Sequence, residues 1–275
     1  MKILGHRLSV GAWIGLLIVC VNVIAAILGP WIAPHGEAVF VGDVWAPPSA
    51  TAWLGLDNLG RDLFSRVLFG ARTTIGIALV VTMLSFTIGV TAGFTAAVVG
   101  GWIDTALSRS IDTIMAIPQL IFALVILSVL GTSVPVLIIT IAVLDSTRVF
   151  RLARAVGLNI ATMEFVEVAR LRGERLGWLI WREILPNALP PLITEFGLRF
   201  CFAFLFIASL SFLGLGIQPP LADWGGMVRD NAQAINFGGI APVAPAAAIA
   251  ILTVGVNLLI DWLLSIHSRA QGEGA

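Results

Sequence analysis

Residues 167–186 read EVARLRGERLGWLIWREILP. Glu167, Arg170, Arg172, Glu174, Arg175, Arg182 and Glu183 make this the densest cluster of charge in the chain, between stretches of long apolar sequence. Gly173 divides it. Before the glycine, MEFVEVARLR (163–172) predicts a short helix with Phe165, Val168, Ala169 and Leu171 as its apolar stripe, and Gly173 can supply a left-handed C-cap. After it, ERLGWLIWREIL (174–185) predicts a second helix that offers Trp178, Ile180, Trp181, Ile184 and Leu185 for burial and is broken by Pro186. An amphipathic helical hairpin held at a membrane face can present itself to the groove of a soluble partner. The plainer alternative is a solvated loop whose arginines only set topology. That accounts for Arg148, Arg151 and Arg154 but poorly for the tryptophans, the glycine and the acidic residues.

The flanking sequence defines the solvent. The 275 residues are 58% hydrophobic and 12% charged, against about 25% charged for a soluble domain. Six apolar candidate spans follow, at 10–33, 74–100, 112–132, 134–152, 188–214 and 241–264. The first follows Lys2, His6 and Arg7, but it is too long for a signal-peptide core and reads as a retained membrane helix. With the N-terminus inside, the inner segments hold Lys2, Arg7, Arg109, Arg148, Arg151, Arg154, Arg170, Arg172, Arg175, Arg182 and Arg269, while the outer ones hold Arg61, Arg66, Arg72 and Arg229. That asymmetry puts both termini and residues 153–187 in the cytoplasm. A net charge of zero argues against a nucleic-acid partner; membrane lipid is the expected surroundings.

Outside the spans, 34–73 and 214–242 are long enough to be structured. DNLG (57–60) reads as a turn, and RDLFSRVLFG (61–70) as a short surface helix with Asp62 and Arg66 at i,i+4. Trp53, Trp224 and Phe237 suit the headgroup region. Cys20 and Cys201 read as small buried hydrophobes, and the scattered His6, His35 and His267 give little support to a metal site. Gly89 and Gly93, roughly continued by Ala97 and Gly100, form either a close-packing stripe or the ordinary glycine content of a membrane helix. Asp145 with Arg148, and Asp261, read as interfacial charges. Glu195 and Arg199 lie at i,i+4 within a span, on one face. They form either a pore-lining pair or an ion pair stapling helices together.

EVARLRG, nine residues, then EILP resembles the cytoplasmic EAA loop of ABC importer permeases: Glu-Ala-Ala, three residues, Gly, nine residues, Ile, one residue, Leu-Pro. Glu167, Ala169, Gly173, Leu185 and Pro186 fall on the pattern, while Val168 replaces an alanine and Glu183 the isoleucine. ILPNALPP (184–191), LGLDNLGRDLFSRVLFGAR (54–72), GWIDTALSRSIDTIMAIPQL (101–120) and LSFLGLGIQPPLADWGGMV (210–228) are similar to the dipeptide/oligopeptide/nickel branch of those permeases.

The resemblance implies an all-α integral membrane protein of six transmembrane helices with a cytoplasmic coupling hairpin. Its N-terminal helix and extracytoplasmic segment would occupy 1–72, the permease core 73–268 with the EAA loop at 153–187, and a cytoplasmic tail 269–275. It implies a non-catalytic subunit of the bacterial inner membrane, with Glu167, Ala169, Arg170, Arg172, Gly173, Leu185 and Pro186 at the coupling surface. Its partners would be a second homologous permease, two ATPase subunits and an extracytoplasmic substrate-binding protein. ATP would be bound by the partners and no cofactor by this chain. Consistently, the only lysine is Lys2, so no P-loop lysine is present. Such permeases form a passage rather than a tight site, which favours the staple for Glu195 and Arg199. The expected cargo is a di- or oligopeptide, with nickel, glutathione, opines or oligosaccharides as alternatives. An ion-coupled secondary carrier would instead need several buried carboxylates, and only Glu195 qualifies on this reading.

Overall fold

The computed structural model describes residues 2–3, 6–7, 9–237 and 239–272, with side chains over 9–237 and 239–265. His6, Arg7, His267 and Arg269 thus have no described side chains, and the expected tail at 269–275 lies partly outside the described residues. Apart from a two-residue ladder pairing Lys2–Ile3 with His6–Arg7, the regular structure among these residues is helical.

α1 (Val10–Ile32) is N-capped by Ser9, whose hydroxyl accepts from the Ala12 N–H. α2 runs over Leu63–Val99 as one helix of 37 residues. α3 (Gly101–Met115) and α4 (Gln119–Leu130) meet at an 85° bend. Pro118 explains that break: it disfavours helical geometry at Ile117 and suits the first turn of the next helix. α5 (Val134–Ala161), α6 (Glu164–Leu171), α7 (Leu176–Trp178), a π-helical turn (Leu179–Ile184) and α8 (Leu185–Phe212) follow, then α9 (Trp224–Asn231) and α10 (Val243–Gly272).

Four stretches are long and apolar enough to cross a membrane, Val10–Ile32, Leu63–Val99, Leu176–Phe212 and Val243–Ser265, and a fifth if the bent pair counts as one span. The expected count of six is therefore not matched helix for helix. The candidate span at 134–152 lies in α5, whose 28 residues are ample in length but include Asp145, Arg148 and Arg151. The chain is an all-α integral membrane protein.

The chain forms two compact units. The first comprises Met1–Leu79, Leu127–Leu137 and Phe200–Ala275. In it α1 packs on α10 through two glycines. A Cβ on Gly15 would lie 2.7 Å from the Gly255 carbonyl oxygen and 2.9 Å from Leu258 Cβ, so only hydrogen fits. The DNLG turn closes as expected, with Gly60 N–H donating to Asp57 O at 3.1 Å and Gly60 at φ +72°. The separate surface helix and the Asp62–Arg66 pair do not form. α2 begins at Leu63, and Asp62 sits just before it, accepting from the Phe64 and Ser65 N–H groups. Arg66 instead lies 3.2 Å from Asp57, which also holds Arg61 at 2.7 Å.

Trp224 is not at a headgroup surface. It is 1% exposed, donates from its indole to Val67 O at 2.9 Å and meets Phe204 edge-on. Asp223 beside it caps α9 through the Gly226 N–H and accepts from the Thr74 hydroxyl at 2.9 Å. Burial pushes the Asp223 carboxyl above the usual carboxylate range, opposed by the hydrogen bonds from Gly226, Ser211 and Thr74. Of the two cysteines, Cys201 is buried as expected and Cys20 is exposed on α1.

The second unit comprises Val80–Ile126 and Ile138–Arg199. Here the glycine stripe is a close-packing face. A Cβ on Gly89 would lie 2.6 Å from Val149 Cβ, and one on Gly93 would lie 2.8 Å from Ala153 Cβ, so α2 and α5 approach almost backbone to backbone. Gly157 of α5 faces Phe94 and Ala97 in return. Gly100 does not extend the stripe; it ends α2 at φ +64° with open space around it.

Candidate functional site

The charged stretch is a helix, a tight turn and a second helix, all within the second unit. Val166 and Ala169 of α6 are fully buried, in one cluster with Val90 and Phe94 of α2, Val149 and Ala153 of α5, and Ile180 and Ile184 beyond the turn. The expected stripe is corrected here. Phe165, Val168 and Leu171 point outward, Leu171 at 83% exposure, and only Ala169 of the four is buried. The reason is periodicity: 165, 168 and 171 are as well spaced for one face as 166 and 169 are for the next. Packing chose the narrower face, where Ala169 and Val166 fit against neighbouring helices. The outer face mixes apolar groups with exposed Glu167, Arg170 and Arg172.

Gly173 closes α6. Its N–H donates to Arg170 O at 2.9 Å, and the Glu174 N–H donates to Ala169 O at 3.2 Å. With Gly173 at φ +83°, these are the two bonds of a Schellman cap. Ala169 therefore has two tasks, a methyl in the core and a carbonyl in the cap. Glu164 and Glu167 in the first turn and Arg170 in the last complement the helix dipole. Arg170 also donates to Val98 O at the end of α2, at 3.1 Å.

Pro186 does not break the second helix. Helical structure is continuous from Leu176 to Phe212, passing Pro186, Pro190 and Pro191. A π turn makes this possible: Leu185 N–H donates to Ile180 O, five residues back, beside the proline that has no N–H to give. Within this segment Ile180 and Ile184 are buried, Trp178 and Leu185 pack against the cluster, and Trp181 is exposed.

The arginines read as topology markers are not merely solvated; Arg151 and Arg154 bind carboxylates of α3. Arg154 binds Asp104 of α3 through Nε and Nη2 at 2.5 and 2.6 Å, and Arg151 binds Asp112 at 2.6 Å.

The buried charges form a triad rather than a pair. Arg199 Nε lies 2.7 Å from Glu195 Oε1 one turn away, as the spacing predicts, and Nη1 lies 3.4 Å from Asp145 Oδ1 on α5. Ser85 of α2 also donates to Asp145, at 3.5 Å. Asp145 is 2% exposed and so is not the interfacial charge its place near a span end suggested. A separation of 54 positions from Arg199 gave the sequence no way to pair them.

Over residues 85–272 the chain matches the model of the binding-protein-dependent transport system inner membrane component. The chain belongs to this family. Relatives cover most of its length. It is 33% identical over 253 residues to the dipeptide transport system permease protein DppC of Alkalihalophilus pseudofirmus, covering 92% of this chain and 83% of that protein. It is 36% identical over 257 residues to a protein of Escherichia coli K12 named "Probable D,D-dipeptide transport system permease protein DdpC", covering 93% and 86%. The glutathione transport system permease protein GsiD of Pectobacterium atrosepticum is 32% identical over 216 residues, covering 78% and 72%. A crystal structure of an amino acid ABC transporter with histidines shares the fold, with a TM-score of 0.50 at 22% identity over 74% of this chain and 94% of that one. Family and apolar helices together make the chain a multi-pass membrane component of a bacterial ABC transporter.

Proposed function

We propose that the chain is a permease subunit of an ATP-driven importer of di- or oligopeptides, with a second permease completing the passage and two ATPases supplying the energy. An extracytoplasmic binding protein delivers the cargo. Both termini and residues 153–187 are cytoplasmic in this reading. The outer face of α6 and the Gly173 turn seat in a groove of an ATPase subunit, with Glu167, Arg170 and Arg172 at the contact, Ala169 and Gly173 shaping the turn, and Leu185 and Pro186 leading into the membrane helix. ATP is bound by the ATPases and this chain carries no cofactor.

The observation that supports the coupling role best is the free face of α6. It leaves Phe165, Val168 and Leu171 exposed among charges, while the opposite face is anchored in the packed cluster from α2, α5 and the π turn. A helix so mounted transmits a push to the membrane helices instead of yielding to it. The peptide assignment is supported by relatives named for dipeptide transport; the relative named for glutathione transport favours a peptide of that kind as the second reading.

The test is uptake of labelled dipeptide into proteoliposomes holding this chain with its partner permease, ATPases and binding protein. Uptake should require ATP. Gly173→Pro, which cannot adopt φ +83° and removes a cap donor, and Glu167→Lys, which reverses a surface charge, should each abolish uptake while the complex still assembles. Normal uptake by both variants with intact ATPases would refute the coupling assignment; uptake driven by an ion gradient alone would favour a secondary carrier.

A further inference from the structure

A groove runs between α2 and α8 within the second unit. Its floor is Val90 and Leu192, both buried and both part of the cluster that anchors α6. Its deep end is closed by Phe86 and Phe196, whose rings meet edge-on with centroids 5.1 Å apart. Leu189 and Ile193, both exposed, form one wall, and Trp181 stands at the other end, where the helix leaves the charged hairpin. Apart from Thr87 and Thr91 the lining is apolar, and the Thr87 hydroxyl donates to Met83 O of its own helix at 2.8 Å. Both helices belong to candidate spans, so the groove lies at membrane depth.

Size selects the occupant. From Leu185 to Phe196 α8 rises about 17 Å, close to the depth of roughly 15 Å of one leaflet. The groove holds about 290 Å³. A helix of a partner subunit is about 10–12 Å across with its side chains and runs on past one leaflet. Spread over the length of the groove, this volume is too narrow for a helix and suits a single hydrocarbon chain. In a bilayer such a chain hangs from a headgroup, and an exposed tryptophan at the mouth suits headgroup level. Beside Trp181, Arg182 is exposed, and its guanidinium has no hydrogen-bond or ion-pair partner among the described residues. It precedes Leu185 by three positions and so shares the groove's side of the helix, whereas Glu183 shares a face with Asn187. The charge beside the mouth is thus an unpaired cation.

We propose that this groove binds one acyl chain of an anionic phospholipid from the leaflet on the hairpin's side, with Arg182 meeting the headgroup. That leaflet is the cytoplasmic one in the orientation proposed above, and only this detail rests on that reading. The site itself needs neither the orientation nor a peptide cargo. A chain in the groove packs on the floor that α6 uses as its mount. The lipid is thereby in contact with the structure behind the coupling hairpin, and the charge of the surrounding membrane gains a route to it.

The experiment is native mass spectrometry of the assembled complex, delipidated in detergent and titrated with dioleoylphosphatidylglycerol or dioleoylphosphatidylcholine. The first phosphatidylglycerol should bind about five-fold more tightly than the first phosphatidylcholine, the attraction of one arginine for an anionic membrane surface. Arg182→Gln should erase that preference and Arg182→Lys should keep most of it. Arg109→Gln, which removes an exposed cation of α3, should leave it unchanged. Leu189→Trp, which fills the groove from an exposed position, should remove this tightest site for both lipids. The intact masses in the same spectra show that each variant is assembled. An Arg182→Gln variant that keeps the preference overturns the proposal, as does a Leu189→Trp variant that binds the first phosphatidylglycerol as tightly as the unaltered complex. Cross-linking of Ile193→Cys to the second permease would also overturn it, by showing that protein and not lipid covers the groove. Dipeptide uptake is a separate measurement: its failure would count against the importer reading and leave the lipid affinities standing.

Discussion

Replacing Arg199 with Met should sharply reduce the amount of assembled complex. The guanidinium stands between Glu195 at 2.7 Å and Asp145 at 3.4 Å. At an effective dielectric of about 20, those separations correspond to gross attractions of about 6 and 5 kcal/mol. Desolvation of the three groups and repulsion between the two carboxylates cancel much of this, but the cancellation works only while the cation is present. Removing one partner of a buried ion pair costs about 3–5 kcal/mol, because the other charge stays buried without compensation. Most of that penalty falls on Asp145, which is nearly sealed, while Glu195 retains 19% side-chain exposure and some access to water. The consequence is a ranking. Glu195→Gln alone should be the mildest change, since Arg199 keeps Asp145. Arg199→Met alone should be the most severe. The double variant Glu195→Gln/Arg199→Met should recover little, because Asp145 is still stranded, whereas the neutral triple with Asp145→Asn should recover much of the assembly. The assay is the yield of monodisperse complex by fluorescence-detected gel filtration, with transport measured on whatever assembles. A double variant that assembles as well as the triple would refute the triad, and a wild-type yield for Arg199→Met would refute burial altogether. A triple that assembles but does not transport would give the charges a part in the passage as well as in the packing.

Four further outcomes are expected. Gly89→Val places a side chain where a Cβ already comes 2.6 Å from Val149 Cβ, so helix separation should cost about 1–3 kcal/mol or more and lower the melting temperature of the complex; an unchanged melting curve would contradict the close approach. Asp223→Ala removes the α9 cap and the acceptor for Thr74, with a loss of about 1–3 kcal/mol, measurable in the same melts. Gly173→Ala forces an L side chain into φ +83° and should cost about 1–2 kcal/mol, leaving transport impaired but above the level of Gly173→Pro. For topology, single cysteines at exposed Ser49 and Gln233 in a chain lacking Cys20 and Cys201 should react with an impermeant thiol reagent from outside, and one at Arg175 should not; buried Asp223 is unsuitable as a reporter. Outside labelling at Arg175 would overturn the orientation.

What the sequence determined alone is what short-range rules control. Apolar length marks four of the six candidate spans, because crossing hydrocarbon sets a minimum run that tertiary contacts do not change. The Gly173 cap was legible because a left-handed turn is a property of one residue and its neighbours, and the Glu195–Arg199 contact because a helix brings i and i+4 together whatever surrounds it. The glycine stripe on α2 was half legible: spacing showed the face, and only the fold supplied Val149 and Ala153 to press against it. The remaining features depended on partners far away in the chain. Asp145 changed from a surface charge to the third member of a buried triad when α5 and α8 came together. Trp224 left the headgroup reading for the core because Val67 and Phe204 were there to receive it. For α6 the sequence offered two apolar faces of equal periodicity. Packing against α2, α5 and the π turn selected Val166 and Ala169, and so left the other face free to meet a partner. Pro186 reads as a stop by any local rule, yet the helix continues, because one π turn rearranges the backbone hydrogen bonds beside it and the packed cluster holds that turn in place.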